Sequence, residues 1–171
     1  MMPYSVILGL GSNIGNRLQY LQRAVDGLWD WGRIIAVSPV YETEPVGIRT
    51  EYFFFNAALI LETLCEPHDL LRAVHAIERN LGRDPAAAMN DREIDIDLLL
   101  YNGILLRDAL LEVPHPRFSE RRFALVPAND IAPQFVHPAL HRTVNDLLTH
   151  CPDQSRVEAT AHRLSVSQLS V

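Results

Sequence analysis

The chain has 171 residues and a formal net charge of −6, enough for one domain that buries roughly two thirds of its unfolded surface without disulfide or metal staples. At 48% hydrophobic and 21% charged residues its composition is ordinarily globular, and its acidic balance argues against a broad nucleic-acid or membrane surface while leaving room for a local basic pocket. All 15 basic residues are Arg, which excludes lysine Schiff bases, the Walker lysine and the protein-kinase strand lysine. Any phosphate chemistry here rests on arginine and metal.

Tyr4 to Gly9 reads as a first, apolar strand, and Gly11-Ser-Asn-Ile-Gly15 as a turn. Leu18, Leu21, Val25, Leu28 and Trp29 recur at helical spacing, so Asn16 to about Trp31 is an amphipathic helix. Ile34 to about Glu42 is a second strand, ended by Pro45-Val-Gly47, and Phe53 to Glu62 a third. Pro67 opens a second helix with an apolar stripe over Leu70, Leu71, Val74, Ile77 and Leu81, capped by Gly82. Arg83 to Asp91 has no periodicity and is a loop. Ile94 to Tyr101 is a fourth strand, followed by the hairpin signal Asn102-Gly103, with Ile104 and Leu105 starting a return strand. Short helices are expected over Ser119–Pro127 and Thr143–His150, and the last twenty residues form a loosely held tail. The order β-α-β-β-α-β implies a ferredoxin-like α+β sandwich with C-terminal additions, residues 1–150 forming the domain and 151–171 the tail.

Cys65 and Cys151 make no CxxC pair or zinc spacing and are expected as reduced thiols. The N-terminus lacks a charged segment leading into a long apolar run, and no stretch of about 20 apolar residues occurs. A cytoplasmic protein with no membrane or nucleic-acid partner is the expectation. No exposed apolar face is obvious, which points to a monomer.

The sharpest chemical feature is Arg92-Glu-Ile-Asp95-Ile-Asp97. Along a strand, Ile94, Ile96, Leu98 and Leu100 share one face, and Asp95 and Asp97 the other. Two adjacent carboxylates repel unless positive charge lies between them; a hard divalent cation shared with phosphate oxygens answers that need, as do nearby arginines on a solvated face. On the third strand Asn56 is the odd residue beside Phe54, a donor–acceptor amide next to a ring, suited to a flat heterocycle or to a satisfied core position. Gly9 and Gly11 leave room for a ligand or a crossing backbone. Arg117, Arg121 and Arg122 concentrate positive charge after Pro114-His115-Pro116, which suits an oligophosphate or local Glu partners.

Together these segments resemble one family, the 6-hydroxymethyl-7,8-dihydropterin pyrophosphokinases. The matching pieces are Gly9-Leu-Gly-Ser-Asn-Ile-Gly15, Tyr41-Glu-Thr43-Glu-Pro45-Val-Gly47, Phe55-Asn56-Ala-Ala, Ile77-Glu78, Gly82-Arg83 and Asp91-Arg92-Glu-Ile-Asp95-Ile-Asp97-Leu-Leu. Val113-Pro-His115-Pro, Arg121-Arg-Phe123-Ala-Leu-Val-Pro127 and Ile131-Ala-Pro133 complete the series, in the family's order, within about Val6 to Leu148.

The resemblance implies transfer of pyrophosphate from ATP to the pterin hydroxymethyl group with release of AMP, a step of folate biosynthesis. It implies two Mg²⁺ ions on Asp95 and Asp97. The pterin would stack between Phe54 and Phe123, its edge read by Asn56 and Thr43, with main-chain contacts near Val46. ATP would lie along the helix carrying Glu78 and touch Arg92, His115 and Arg121, and Arg83 would sit in a closing loop. The family pattern also has further Arg, a Trp and Gly-Pro in that loop; here Met89 stands near the Trp position, Asn90-Asp91 replaces Gly-Pro, and Asp84 and Asp91 add negative charge where ATP docks. Two other readings use the same features: a pterin- or nucleotide-binding paralogue without efficient transfer, and an RNA-binding ferredoxin-like module whose aromatic platform Phe53–Phe55 would mimic.

Overall fold

The computed structural model describes residues 1–87 and 91–167. In chain order it contains β1 (Tyr4–Ser12), α1 (Arg17–Leu28), β2 (Arg33–Val37), β3 (Tyr41–Thr43), β4 (Phe54–Thr63), α2 (Pro67–Asn80) and β5 (Asp95–Tyr101). Then follow β6 (Leu106–Arg107), β7 (Glu112–Val113), α3 (Arg122–Ile131), β8 (Val136–His137), β9 (Arg142–Thr143), α4 (Val144–Thr149) and β10 (Val157–Ala159). The main sheet is antiparallel with order β10-β3-β4-β1-β5, and β2 pairs the far end of β4. Taking β2 and β3 as one interrupted strand, the order is fourth, first, third, second, the ferredoxin-like arrangement.

Side-chain alternation on β1 separates two cores. Val6, Leu8 and Leu10 are buried with Leu21, Val25 and Leu28 of α1 and Leu70, Val74 and Ile77 of α2. Ile7 faces the other side, with Leu125 and Ala128 of α3 and Leu147 of α4. Each fully buried aliphatic side chain contributes roughly 1.5–3 kcal/mol, so the central strand is fixed from both faces. Local signals agree with the ends of the helices: Asn16 Oδ1 accepts from Gln19 N–H at the start of α1, Pro67 begins α2, and Gly82 turns the chain at φ +101°.

Several sequence expectations are corrected. β1 does not end at Gly9: Gly11 and Ser12 still pair with Asn56 and Phe55 of β4. The expected strand over Ile34–Glu42 breaks at Ser38-Pro39, where Ser38 Oγ accepts the Ala58 N–H. α1 ends at Leu28 and a single 3-10 turn covers Trp29–Trp31; the chain then passes so close to β4 that a Cβ on Gly32 would lie 2.2 Å from the Glu62 carbonyl oxygen. The return strand begins at Leu106. The expected Ser119–Pro127 helix runs from Arg122 to Ile131, after a 3-10 turn over Phe118–Glu120.

The alternation on β5 also fails at one point. Ile7 pairs with Leu100 and Leu8 with Leu98, so Leu99 is a bulge. Leu98 then packs on the α1/α2 side while Leu99 and Leu100 pack on the α3 side.

The loosely held tail is likewise corrected. Val157–Ala159 pairs with β3, Thr160 N–H and Oγ both donate to the Val40 carbonyl, and Ser165 N–H donates to Gln22 Oε1. Leu164 is only 9% exposed and joins the α1/α2 core. Truncating it is therefore expected to be felt: Leu164→Ala should cost about 2 kcal/mol in urea unfolding, whereas a change within about 0.5 kcal/mol would mean that the tail is not packed.

Candidate active site

On the α3 face of the sheet the side chains run out. Gly9 and Gly11 lack them, and α3 covers only part of the gap, leaving an open cleft over the two glycines. Register decides what faces it. Gly11 lies between Asn56 on β4 and Asp95 on β5, and Gly9 between Ala58 and Asp97. A Cβ on Gly11 would sit 2.7 Å from Asn56 Oδ1, so this glycine makes room for the amide itself.

One wall suits a flat polar ring. Asn56, 7% exposed, donates from Nδ2 to Thr43 Oγ1 at 2.7 Å. That leaves Oδ1 as an acceptor and the Thr43 hydroxyl as a donor on the same edge. Phe54, Val46 and Ile48 line this side, and Phe123 at the start of α3 lines the other. Among the described residues neither Phe54 nor Phe123 pairs with another aromatic ring.

The other wall is charged. Asp95 Oδ1 accepts from Arg83 Nη1 at 2.6 Å, and its Oδ2 from Arg92 Nη1 at 3.0 Å. Arg83 Nη1 also reaches Glu78 Oε1, which accepts the Ile96 N–H at 2.8 Å. Glu78 is 5% exposed; burial pushes its carboxyl up, opposed by the Ile96 N–H and by Arg83. It thus braces β5 from behind and meets the cleft through Arg83.

Asp97 differs from Asp95. Part of its surface is open to the cleft, and among the described residues its carboxylate has no hydrogen-bond or ion-pair partner. Close protein surroundings, and then the neighbouring Asp95 charge, push it well above the usual carboxylate range. Arg121 opposes that shift across the cleft.

His115 lies beside the cleft, in a neighbouring depression with Pro114 and His137. Its ring Nδ1 accepts the Arg117 N–H at 3.1 Å, so a neutral ring carries its proton on Nε2. Burial, then Arg121, lowers its pKa to about 4. At neutral pH it is an uncharged donor, fit to meet an anion without adding charge.

The carboxylates fit a hard cation. No group of three or more His, Cys, Asp or Glu side chains among the described residues is arranged to hold a metal ion. Two carboxylates open to a cleft, one of them unpartnered, instead match Mg²⁺, which usually keeps waters and substrate phosphates as its other ligands.

The model of the 7,8-dihydro-6-hydroxymethylpterin-pyrophosphokinase (HPPK) family matches residues 7–133. The chain belongs to this family. It is 36% identical over 142 residues to the 2-amino-4-hydroxy-6-hydroxymethyldihydropteridine pyrophosphokinase of Aquifex aeolicus, covering 83% of this chain and 89% of that protein. It is 40% identical over 138 residues to the Porphyromonas gingivalis (strain ATCC 33277) protein of the same name, covering 78% and 93%. The Dictyostelium discoideum folic acid synthesis protein FOL1 is 38% identical over 89% of this chain, which spans only 23% of that longer protein. In fold, the chain superposes on a Plasmodium falciparum HPPK-DHPS crystal structure with TM-score 0.71 at 18% identity, covering 86% of this chain and 44% of that one.

Of the residues expected from the HPPK resemblance, the cleft gathers Thr43, Val46, Phe54, Asn56, Phe123, Arg92, Asp95, Asp97 and Arg121. Glu78 and Arg83 border a separate hollow behind Asp95, and His115 stands at the side. Met89 and Asn90 lie outside the described residues. Glu44 and Ala124, inside two of the quoted motifs, and Ile48, just after one, also line the cleft; their types carried no signal of their own.

A carboxyl raised in the folded state contributes stability at low pH that is lost as pH rises through its folded pKa. Asp97 is such a group. In EDTA at pH 8, Asp97→Asn is expected to be more stable than the parent by about 1 kcal/mol or more, with the difference fading towards pH 4. Equal or lower stability of the variant at pH 8, read by urea unfolding, would contradict the strained carboxylate.

Proposed function

We propose that this chain transfers the terminal pyrophosphate of ATP to the hydroxymethyl group of 6-hydroxymethyl-7,8-dihydropterin, giving the pterin diphosphate and AMP in folate biosynthesis. The observation that carries this reading is the single cleft in which a polar edge suited to a heterocycle, Asn56 with Thr43, faces two carboxylates and two arginines. The pterin hydroxyl oxygen forms a bond to the β-phosphorus, the bond from that phosphorus to the α,β-bridging oxygen breaks, and AMP leaves with that oxygen. The hydroxyl proton passes to solvent; we assign no side chain as general base.

The chain's residues divide the work. Phe54 and Phe123 sandwich the pterin, and Asn56 and Thr43 read its edge with main-chain help near Val46. Arg92, His115 and Arg121 meet the ATP phosphates, and Glu78 fixes the β5 backbone along which ATP lies. Arg83 leaves Asp95 and turns to phosphate when substrates bind. Asp95 and Asp97 would hold Mg²⁺, two ions by analogy with the family, supplying charge neutralisation on the phosphate oxygens. In-line placement and exclusion of water are what the protein adds.

Among the described residues no helix is long and apolar enough to cross a membrane. We place the protein in the cytoplasm as a monomer without nucleic-acid or membrane partners. Residues 1–150 would be the pyrophosphokinase domain and 151–171 its C-terminal extension.

The direct test mixes the protein with ATP, Mg²⁺ and 6-hydroxymethyl-7,8-dihydropterin and follows both products. AMP and pterin diphosphate should appear in equal amounts and vanish with EDTA; neither product from folded protein would favour a binding paralogue. Asn56→Ala should weaken pterin binding by roughly tenfold to a hundredfold, the cost of one lost buried hydrogen-bonding edge, while ATP affinity stays within about threefold. Equal weakening of both would displace the pterin from this wall.

A further inference from the structure

Three loops meet at one carboxylate oxygen beside the cleft. Asp91 Oδ1 accepts from Asn13 Nδ2 at 2.8 Å and from the Thr50 hydroxyl. Asn13 follows β1, Thr50 lies in the loop after β3 that carries Val46 and Ile48, and Asp91 directly precedes Arg92. Asn13 is 3% exposed and tied to Arg92 by a pair of bonds: its N–H donates to the Arg92 carbonyl at 3.1 Å, and its Oδ1 accepts the Arg92 N–H at 2.7 Å. Arg92 in turn reaches Asp95. The sequence placed Asp91 as negative charge against ATP; the structure turns that carboxylate inward, onto two neutral donors.

We propose that Asp91, Asn13 and Thr50 form a clasp that ties the wall beside Asn56 to Arg92, making Asp91 a positioning residue that couples the two substrate subsites. This rests on the two-substrate reading above. The physical basis is that one acceptor oxygen serves both donors, so the Thr50 loop and the Arg92 backbone cannot settle independently. A ligand that orders the Val46–Thr50 wall thereby removes part of the ordering cost at Arg92, and the reverse holds equally, because coupling between two binding sites is reciprocal. Neither Asp91 nor Thr50 lines the cleft, so their effect passes through the residues they hold.

The test reads coupling rather than rate. Affinity for α,β-methylene-ATP with Mg²⁺ is measured calorimetrically with and without saturating 6-hydroxymethylpterin. In the parent the pterin should tighten nucleotide binding by about tenfold. Asp91→Ala and Thr50→Val should bring that ratio close to one, while Asp91→Asn and Thr50→Ser, which keep the oxygen each bond needs, retain most of it. Thr50→Val changes one hydroxyl on a loop and guards against misfolding of the Asp91 variant. A ratio near one in the parent, an unchanged ratio in Asp91→Ala and Thr50→Val, or equal weakening of nucleotide binding with and without pterin would each overturn the clasp. Product formation by the parent, assayed alongside, separates the two ideas: coupling without AMP or pterin diphosphate would sink the reaction and leave the clasp standing.

Discussion

The site depends on the register of β1 between β4 and β5. That strand is central, buried on both faces, and carries glycine at the two positions where its neighbours present Asn56, Asp95 and Asp97. With a side chain at Gly11, the amide of Asn56 could not lie where it does. A slip of one residue would turn the polar groups of a strand into the opposite core. The hydrophobic packing of Val6, Leu8 and Leu10 against α1 and α2 therefore fixes the geometry of the polar cleft on the other face. Stability and chemistry share one strand: the α1/α2 side is wholly core, while the α3 side is core at Ile7 and cleft at Gly9 and Gly11.

The charged wall shows how such a site persists in a folded protein. Asp95 is neutralised from two directions by Arg83 and Arg92 in direct ion pairs, whereas Asp97 has no such pair and feels Arg121 and Arg83 only at a distance, too weakly to offset its close surroundings and the Asp95 charge. An unpartnered carboxylate of this kind costs folding free energy, and functional sites are where such costs concentrate. Arg83 acts as an internal counter-ion, holding Asp95 and Glu78 together. Any cation arriving at Asp95 competes with that guanidinium.

Much of the cleft was legible in the sequence because it follows from a period of two. Alternation placed Asp95 with Asp97, and Asn56 with Phe54, on the faces where the structure has them. The same rule failed beyond Leu98, since the bulge at Leu99 arises from pairing with β1 and leaves no mark in β5 alone. The break at Ser38-Pro39 has a local mark, a proline without an N–H for the sheet, but the bond that fixes it comes from Ala58, twenty residues away. β10 is three residues long and takes its stability from the β3 edge, so composition alone made it look like a tail. Asp91 stands out in the sequence by its charge, but its partners Asn13 and Thr50 are distant in sequence, and no local pattern joins them.

The most direct measurement on the central claim uses Asp97→Ala and takes two readings from one preparation: formation of the pterin diphosphate, and pterin affinity by fluorescence titration. If Asp95 and Asp97 hold the metal and Asn56 holds the heterocycle in one cleft, turnover should fall by at least about a hundredfold while pterin affinity stays within about threefold. Near-normal turnover in that variant would contradict it.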